Sequence, residues 1–195
     1  MRVTTTSPDC PPSVRVEISM VSAFVNDLAS ARIGATHNQY ADSALRRRRL
    51  VEYLESRRRA RLLLVGEAAG YRGARVSGLA FTSERQLTGS GPSEISATIV
   101  QRTLEELDIA DDVLLWNLVP THPHRLGDPA SNREPTREEI RDARRFVDAL
   151  AGSGPSNRLL LAVGRLAQRE LGAPYVRHPA RGGAADFRAT LAACL

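Results

Sequence analysis

The chain has 195 residues, a hydrophobic fraction of 42% and a formal net charge of +5. These values exclude a disordered or fibrous class and favour one domain with a sizeable core. All 27 basic residues are arginine, a bias that a GC-rich genome explains, yet a basic, arginine-rich chain also suits a polyanionic partner.

Cysteine content and apolar runs exclude several further classes. Cys10 and Cys194 lie at opposite ends of the chain and are too few for a metal or iron–sulfur site. No apolar run approaches the roughly 18 residues that span a membrane, and the N-terminus lacks the apolar core of a signal peptide. We therefore expect a cytoplasmic protein that needs no metal and has no membrane partner.

The first third of the chain predicts an arm, two helices and a buried strand. Residues 1–16, rich in Thr, Ser and Pro, are expected to be a disordered arm before a single domain over residues 17–195. One short helix is predicted at residues 20–31. A second begins near Asp42 or Ser43 and carries the arginine run 46–49 on a solvated face. Residues 61–65 end in four aliphatic side chains bounded by glycine, as in a strand buried on both faces.

A turn of small residues follows this strand. Glu67 lies there between Gly66 and Gly70, where small side chains let a ligand approach the backbone closely. The next segment, 77–84, is irregular and polar around one aromatic residue, Phe81. A helix capped by Ser93 or Ser96 is then predicted.

The second half of the chain repeats the strand–helix alternation. A strand at 113–116 ends at Asn117, and a long loop over residues 120–135 follows, of a length that is often functional. A capping-box pattern beginning at Thr136 opens the next helix. Strands at 159–163 and 174–177 come next, and the second of them delivers His178.

This alternation predicts right-handed crossovers and a parallel sheet. The expected fold is a single three-layer α/β/α domain with a central, mostly parallel four-stranded sheet. Because ligands bind beyond the carboxyl ends of such strands, Glu67, Asn117 and His178 are expected to converge on one crevice.

Together these segments resemble the uracil-DNA glycosylase superfamily. The resemblance is carried, in family order, by Gly66-Glu67-Ala68-Ala69-Gly70, Ser77-Gly78-Leu79-Ala80-Phe81, Trp116-Asn117, Asn132-Arg133-Glu134-Pro135 and Val176-Arg177-His178-Pro179. It spans roughly residues 37 to 190. It implies a monomeric enzyme that flips a deaminated base, uracil or hypoxanthine, out of DNA and hydrolyses its glycosidic bond without a cofactor.

The chain departs from the family pattern at three places. Ala69 replaces the usual proline of the first motif, and Ala68 stands where the best-known branch has a water-activating aspartate. Ala180 replaces the serine that often follows His-Pro. Branches with the glutamate motif commonly hold a four-cysteine cluster, which this chain cannot supply, so the resemblance implies a cluster-free relative.

The resemblance also implies roles for particular residues, each with a structural alternative. His178 would donate to the departing base, or serve only the strand end. Asn117 would read the base edge, or bond only the loop backbone. Glu67 would assist water and the cationic sugar, or pair with Arg72 or Arg75.

Further residues are expected around the base or on the DNA. Phe81 would stack on the base, or plug the core. Tyr71 would shape the pocket, or merely pack, and Gly66 is expected to lie against the base. The predicted DNA contacts are Arg181, Arg125, His122 and Ser83. Two histidines at positions 122 and 124, without a close third ligand, make a poor zinc site.

Two other functions compete with the glycosylase. A non-catalytic relative that binds lesions or DNA is favoured by the alanines at 68 and 180. A nucleotide-binding protein that uses the Gly66–Gly73 loop is a weaker hypothesis, because the loop lacks a P-loop lysine and Glu67 would repel phosphate.

Overall fold

Four parallel strands, paired in the order β2-β1-β3-β4, form the centre of the protein. The structure is a computed structural model that describes residues 12–195, with side chains from Met20 onward. The strands are β1 Leu62–Ala68, β2 Val113–Val119, β3 Leu159–Val163 and β4 Tyr175–Val176. The predicted parallel sheet is confirmed, and β1 continues through Glu67, which the sequence had placed in a turn.

Helices connect these strands along the described chain. They are α1 Pro12–Ser30, α2 Ala44–Ser56, α3 Ala74–Ser77, α4 Glu84–Thr88, α5 Ile95–Glu106, α6 Arg137–Gly152, α7 Arg165–Leu171 and α8 Ala184–Ala192, with a 3-10 turn at Ala110–Asp112. The predicted arm lies mostly outside the described residues, and α1 begins well before the predicted start at residue 20. No helix within residues 12–195 is long and apolar enough to cross a membrane.

Side chains of β1 point alternately to the two faces of the sheet, and helices cover both faces, which gives the three-layer α/β/α arrangement. Leu63 and Val65 face a core that includes side chains of α1, α2, α6 and α7. Leu62 and Leu64 face the opposite core, built with α5 and α8. Burial of both faces explains why the strand is a continuous aliphatic run.

Helix caps account for several element boundaries. Ser43 caps α2 by accepting a hydrogen bond from the Arg46 amide. Thr136 and Glu139 form the predicted capping box of α6. The expected serine cap of α5 is wrong, because its N-cap residue is Glu94 and no side chain caps that helix.

The arginine run of α2 is only partly solvated, which corrects the prediction of an exposed face. Arg46 and Arg47 donate to the backbone carbonyls of Val76 and Tyr40. Arg49 forms a bidentate ion pair with Glu84, with N–O distances of 2.8 and 2.9 Å. These arginines hold the segment after β1 against α2, and with it the loop that carries Phe81.

Candidate active site

A small cavity of about 50 Å³ opens at the carboxyl edge of the sheet. Its lining comprises Glu67, Ala68, Gly70, Ala74, Phe81, Glu94, Ser96, Asn117 and His178. Parallel strands end at the same edge, so β1 supplies Glu67, β2 supplies Asn117, and the segment after β4 supplies His178. The structure thus brings these three predicted residues together.

His178 is held as a hydrogen-bond donor. The backbone amide of Ala180 donates to its Nδ1 over 3.1 Å, so in the neutral ring the proton resides on Nε2. Burial lowers the pKa of His178, and the nearby charges of Arg177 and Arg181 lower it further. The ring is therefore neutral at physiological pH and offers an Nε2–H group.

Asn117 is buried, with 5% of its surface exposed, yet its side-chain amide forms no hydrogen bond to any described residue. The alternative drawn from the sequence, in which Asn117 hydrogen-bonds only the loop backbone, is therefore not observed among the described residues. A buried amide normally finds partners. Both its donor and its acceptor remain available to a ligand in the cavity.

Phe81 lies directly over Gly66. A Cβ atom at Gly66 would come within 2.3 Å of the Phe81 ring, so only glycine fits beneath it. The backbone of Phe81 is left-handed, with φ at 50°, and its ring centroid is 6.5 Å from that of His178. Phe81 both belongs to the core under α5 and lines the cavity, which combines the two alternatives drawn from the sequence.

Glu67 is partly buried and has no ion-pair partner in the part of the chain that the structure describes. The expected alternative, a salt bridge to Arg72 or Arg75, does not form. Burial raises the pKa of Glu67, and the negative charge of Glu134 raises it further. A desolvated, unpaired carboxylate is a better proton acceptor than a solvated one.

Glu94 is a cavity residue that the sequence did not indicate. Its carboxylate lies against two glycines: a Cβ atom at Gly70 would be 2.7 Å from Oε1, and one at Gly73 would be 1.8 Å from Oε2. Burial raises the pKa of Glu94, and no described residue forms a hydrogen bond or ion pair with its carboxylate. The glycine spacing was the available signal, since it leaves room for a side chain from elsewhere.

The loop between β2 and α6 is fastened beside the cavity. Asn132 Oδ1 accepts a hydrogen bond from the Tyr71 amide over 2.9 Å. Arg133 forms a bidentate pair with the buried Glu139, with N–O distances of 2.8 and 2.6 Å. This part of the motif is therefore structural, because it ties the loop to the turn after β1 and to α6.

Two of the predicted DNA contacts, His122 and Ser83, are wrong because both side chains are buried. His122 is fully buried, and its ring nitrogens face the carbonyl oxygens of Ala69 at 2.8 Å and Pro129 at 3.3 Å. Ser83 is also fully buried, and its hydroxyl bonds Gln86 in the capping box of α4. Both side chains hold loops in place instead of facing a ligand.

Arg125 and Arg181 are exposed on loops, as DNA contacts would need to be. Arg181 has a left-handed backbone, with φ at 55°, three residues beyond His178. Tyr71 lies outside the cavity, with the Arg75 guanidinium 4.8 Å above its ring. Among the residues described, no three His, Cys, Asp or Glu side chains are grouped as metal ligands.

Two solved structures and one family model are similar to this chain. The structure resembles wild-type SMUG2 from Pedobacter heparinus, with a TM-score of 0.65, 11% identity, and coverage of 91% of this chain and 95% of that chain. For wild-type UNG from Nitratifractor salsuginis the TM-score is 0.44 at 14% identity, with 95% and 96% covered. No curated protein matches. A family model described as the uracil DNA glycosylase superfamily matches residues 54–190, which is most of the chain. The chain therefore belongs to the uracil DNA glycosylase superfamily.

Proposed function

We propose that this protein is a DNA glycosylase that removes a deaminated base, most simply uracil, by hydrolysing its N-glycosidic bond. Its partner is DNA carrying such a base, and it acts as a cytoplasmic monomer without a cofactor. The observation that carries the proposal is one cavity combining a neutral histidine donor, an unpartnered amide, an aromatic ring and an unpaired carboxylate. Superfamily membership supports the same reaction class.

Each group has a part in the reaction. The base enters edge-on to Asn117, whose amide offers the donor and acceptor that complement an imide edge. Phe81 provides a face on which the base stacks. Selectivity against cytosine and the purines then follows from these contacts, because a mismatched edge leaves the Asn117 amide unpaired. Thymine shares the imide edge of uracil, so the Asn117 contact does not distinguish these two bases.

Bond cleavage moves negative charge onto the base. The bond between C1′ and the ring nitrogen breaks, the electron pair leaves with the base, and C1′ becomes cationic. The Nε2–H group of His178 donates to the base oxygen where that charge accumulates, an interaction that strengthens only in the transition state. A water oxygen then bonds to C1′, and Glu67 accepts the proton that the water loses.

The test is single-turnover excision from an oligonucleotide with one uracil, measured beside equilibrium binding. His178→Ala should reduce the rate by about 10²–10³, as loss of one oxyanion donor does, with little change in binding. Glu67→Gln should slow excision less severely, and Asn117→Ala should weaken both lesion binding and rate. Arg59→Ala, an exposed change beside the amino end of β1, is the control. Excision by His178→Ala at the wild-type rate would place the active site elsewhere.

A second candidate, a lesion binder without catalysis, is favoured by Ala68. This residue lines the cavity at the position that resembles the water-activating aspartate of other branches. A panel of single-lesion oligonucleotides distinguishes the two functions. Tight lesion binding with no alkali-labile abasic site from any base would favour the binder.

A further inference from the structure

An open groove of about 400 Å³ adjoins the cavity and differs from it in charge. We name it the arginine groove, and its lining comprises Tyr71, Arg72, Arg75, Val76, Arg85, Gly91, Pro92 and Ser93. Gly70 lines the cavity while the next residue, Tyr71, lines the groove, and Glu94 and Ser93 divide in the same way. Consecutive Cα atoms are about 3.8 Å apart, so the two spaces are within reach of one nucleotide.

The arginines of the groove are not neutralised by the protein. Arg72, Arg75 and Arg85 form no ion pair with any residue in the described part, and no acidic residue lines the groove. By contrast, Arg49 and Arg133, which hold loops in place, each form a close ion pair with a glutamate. Three guanidinium groups that share one groove without a counter-ion favour a polyanion there.

Arg75 adds a second, independent observation. Its guanidinium lies 4.8 Å above the Tyr71 ring, and its Nε is buried without a hydrogen-bond acceptor. Arg85 donates from Nε to the Gly91 carbonyl over 3.2 Å, which holds its side chain at the groove. Buried donors are normally satisfied, so the unpaired Arg75 Nε–H is a donor that an acceptor oxygen of a ligand would satisfy.

We propose that the arginine groove binds backbone phosphates of the DNA strand that carries the extruded base. This inference rests on the proposed function and extends it to the path of the strand. The cavity holds two carboxylates, Glu67 and Glu94, which repel phosphate but admit an uncharged base. Acid in the cavity and arginine in the groove therefore orient the nucleotide, with its base in one space and its phosphate in the other.

The experiment measures binding of lesion-containing and undamaged oligonucleotides over a range of salt concentrations. Arg72→Ala combined with Arg85→Ala should make the slope of log K against log salt shallower by about 0.7–0.9 for each phosphate that the double variant no longer neutralises. Both oligonucleotides should bind more weakly by the same factor, because phosphate contacts carry no sequence information. The control Arg59→Ala removes one exposed arginine beside the amino end of β1, half the charge that the double variant removes, and should leave the slope unchanged.

The outcomes separate this inference from the proposed function. A wild-type slope in the double variant, with uracil excision intact, would overturn the proposal that the arginine groove binds phosphate, while the proposed glycosylase activity would stand. A shallower slope in the double variant, with no base released by the wild type, would support phosphate binding in the arginine groove and contradict the proposed glycosylase activity. Nucleoside monophosphate bound as tightly as an oligonucleotide by the wild type, but not by the double variant, would overturn DNA as the occupant.

Discussion

The contact between Phe81 and Gly66 can be tested by adding one methyl group. In Gly66→Ala the new Cβ would lie 2.3 Å from Phe81 Cζ, 2.8 Å from Cε2 and 3.0 Å from Asn117 Oδ1. The ring cannot retreat freely, since Phe81 is only 9% exposed and packs in the core. Overpacking of this kind costs about 1–3 kcal/mol, against the about 0.4–1 kcal/mol that replacing a glycine gains through the unfolded chain. We expect a net loss of up to about 2.6 kcal/mol in the free energy of unfolding.

The assay is urea unfolding of Gly66→Ala, Phe81→Ala and the double variant, combined in a double-mutant cycle. Without the ring, the two shortest contacts of the added methyl group disappear and Asn117 Oδ1 remains at 3.0 Å. Most of the cost should therefore vanish, giving a coupling energy of at least about 1 kcal/mol. Gly152→Ala is the control, because a Cβ atom there meets nothing within 4 Å. Excision should slow in Gly66→Ala even where the protein is fully folded. An uncoupled pair, with Gly66→Ala as stable as the wild type, would refute the stacking of Phe81 on Gly66.

Three further predictions concern pH, stability and metals. Because burial and then Glu134 raise the pKa of Glu67, the acid limb of the excision rate should lie above pH 4.5, and Glu134→Gln should shift it to lower pH. Burial would raise the pKa of Glu139, but Arg133 and Thr136 outweigh it and lower that pKa, so its stabilisation is complete above pH 4.5 and is lost as pH falls through the folded-state value. Glu139→Gln should accordingly cost about 3–5 kcal/mol at pH 7 in chemical denaturation, as breaking a buried pair does. With only two cysteines in the sequence, the protein should be colourless and keep its activity in chelators, and stoichiometric iron by elemental analysis would contradict this.

Strand ends were predictable because a simple rule governs them. A run of aliphatic residues before Glu67, and another before Asn117, indicates buried parallel strands, and parallel strands end at one edge. The rule needs no knowledge of side-chain packing, so it located Glu67, Asn117 and His178 from the order of the strands alone. Strand lengths were harder, and β1 and β2 each extend beyond the predicted end because Gly66 and Asn117 pair within the sheet.

The solvent exposure of polar residues in loops could not be predicted from the sequence. His122 and Ser83 are polar residues in loops, which is typical of ligand contacts, yet both are buried. Gln86, the partner of Ser83, stands at capping-box spacing, which is a sequence pattern, whereas no pattern reveals the partners of His122. One partner of His122 is the carbonyl of Ala69, 53 residues away. Backbone carbonyls are present at every position, so a polar side chain can be satisfied in the interior without a recognisable partner in the sequence.

The position of Glu94 beside Gly70 and Gly73 could not be predicted from the sequence either. From the sequence, Gly70 indicated close approach of a ligand to the backbone, which is one of two reasons for a glycine. In the structure the space beside Gly70 and Gly73 is taken by the Glu94 carboxylate, supplied from beyond the Phe81 segment. The three positions therefore constrain one another, because a side chain at either glycine would displace the carboxylate from the cavity. Motif residues alone therefore do not describe this cavity, because Glu94, its second carboxylate, lies outside every motif and depends on the glycines that accommodate it.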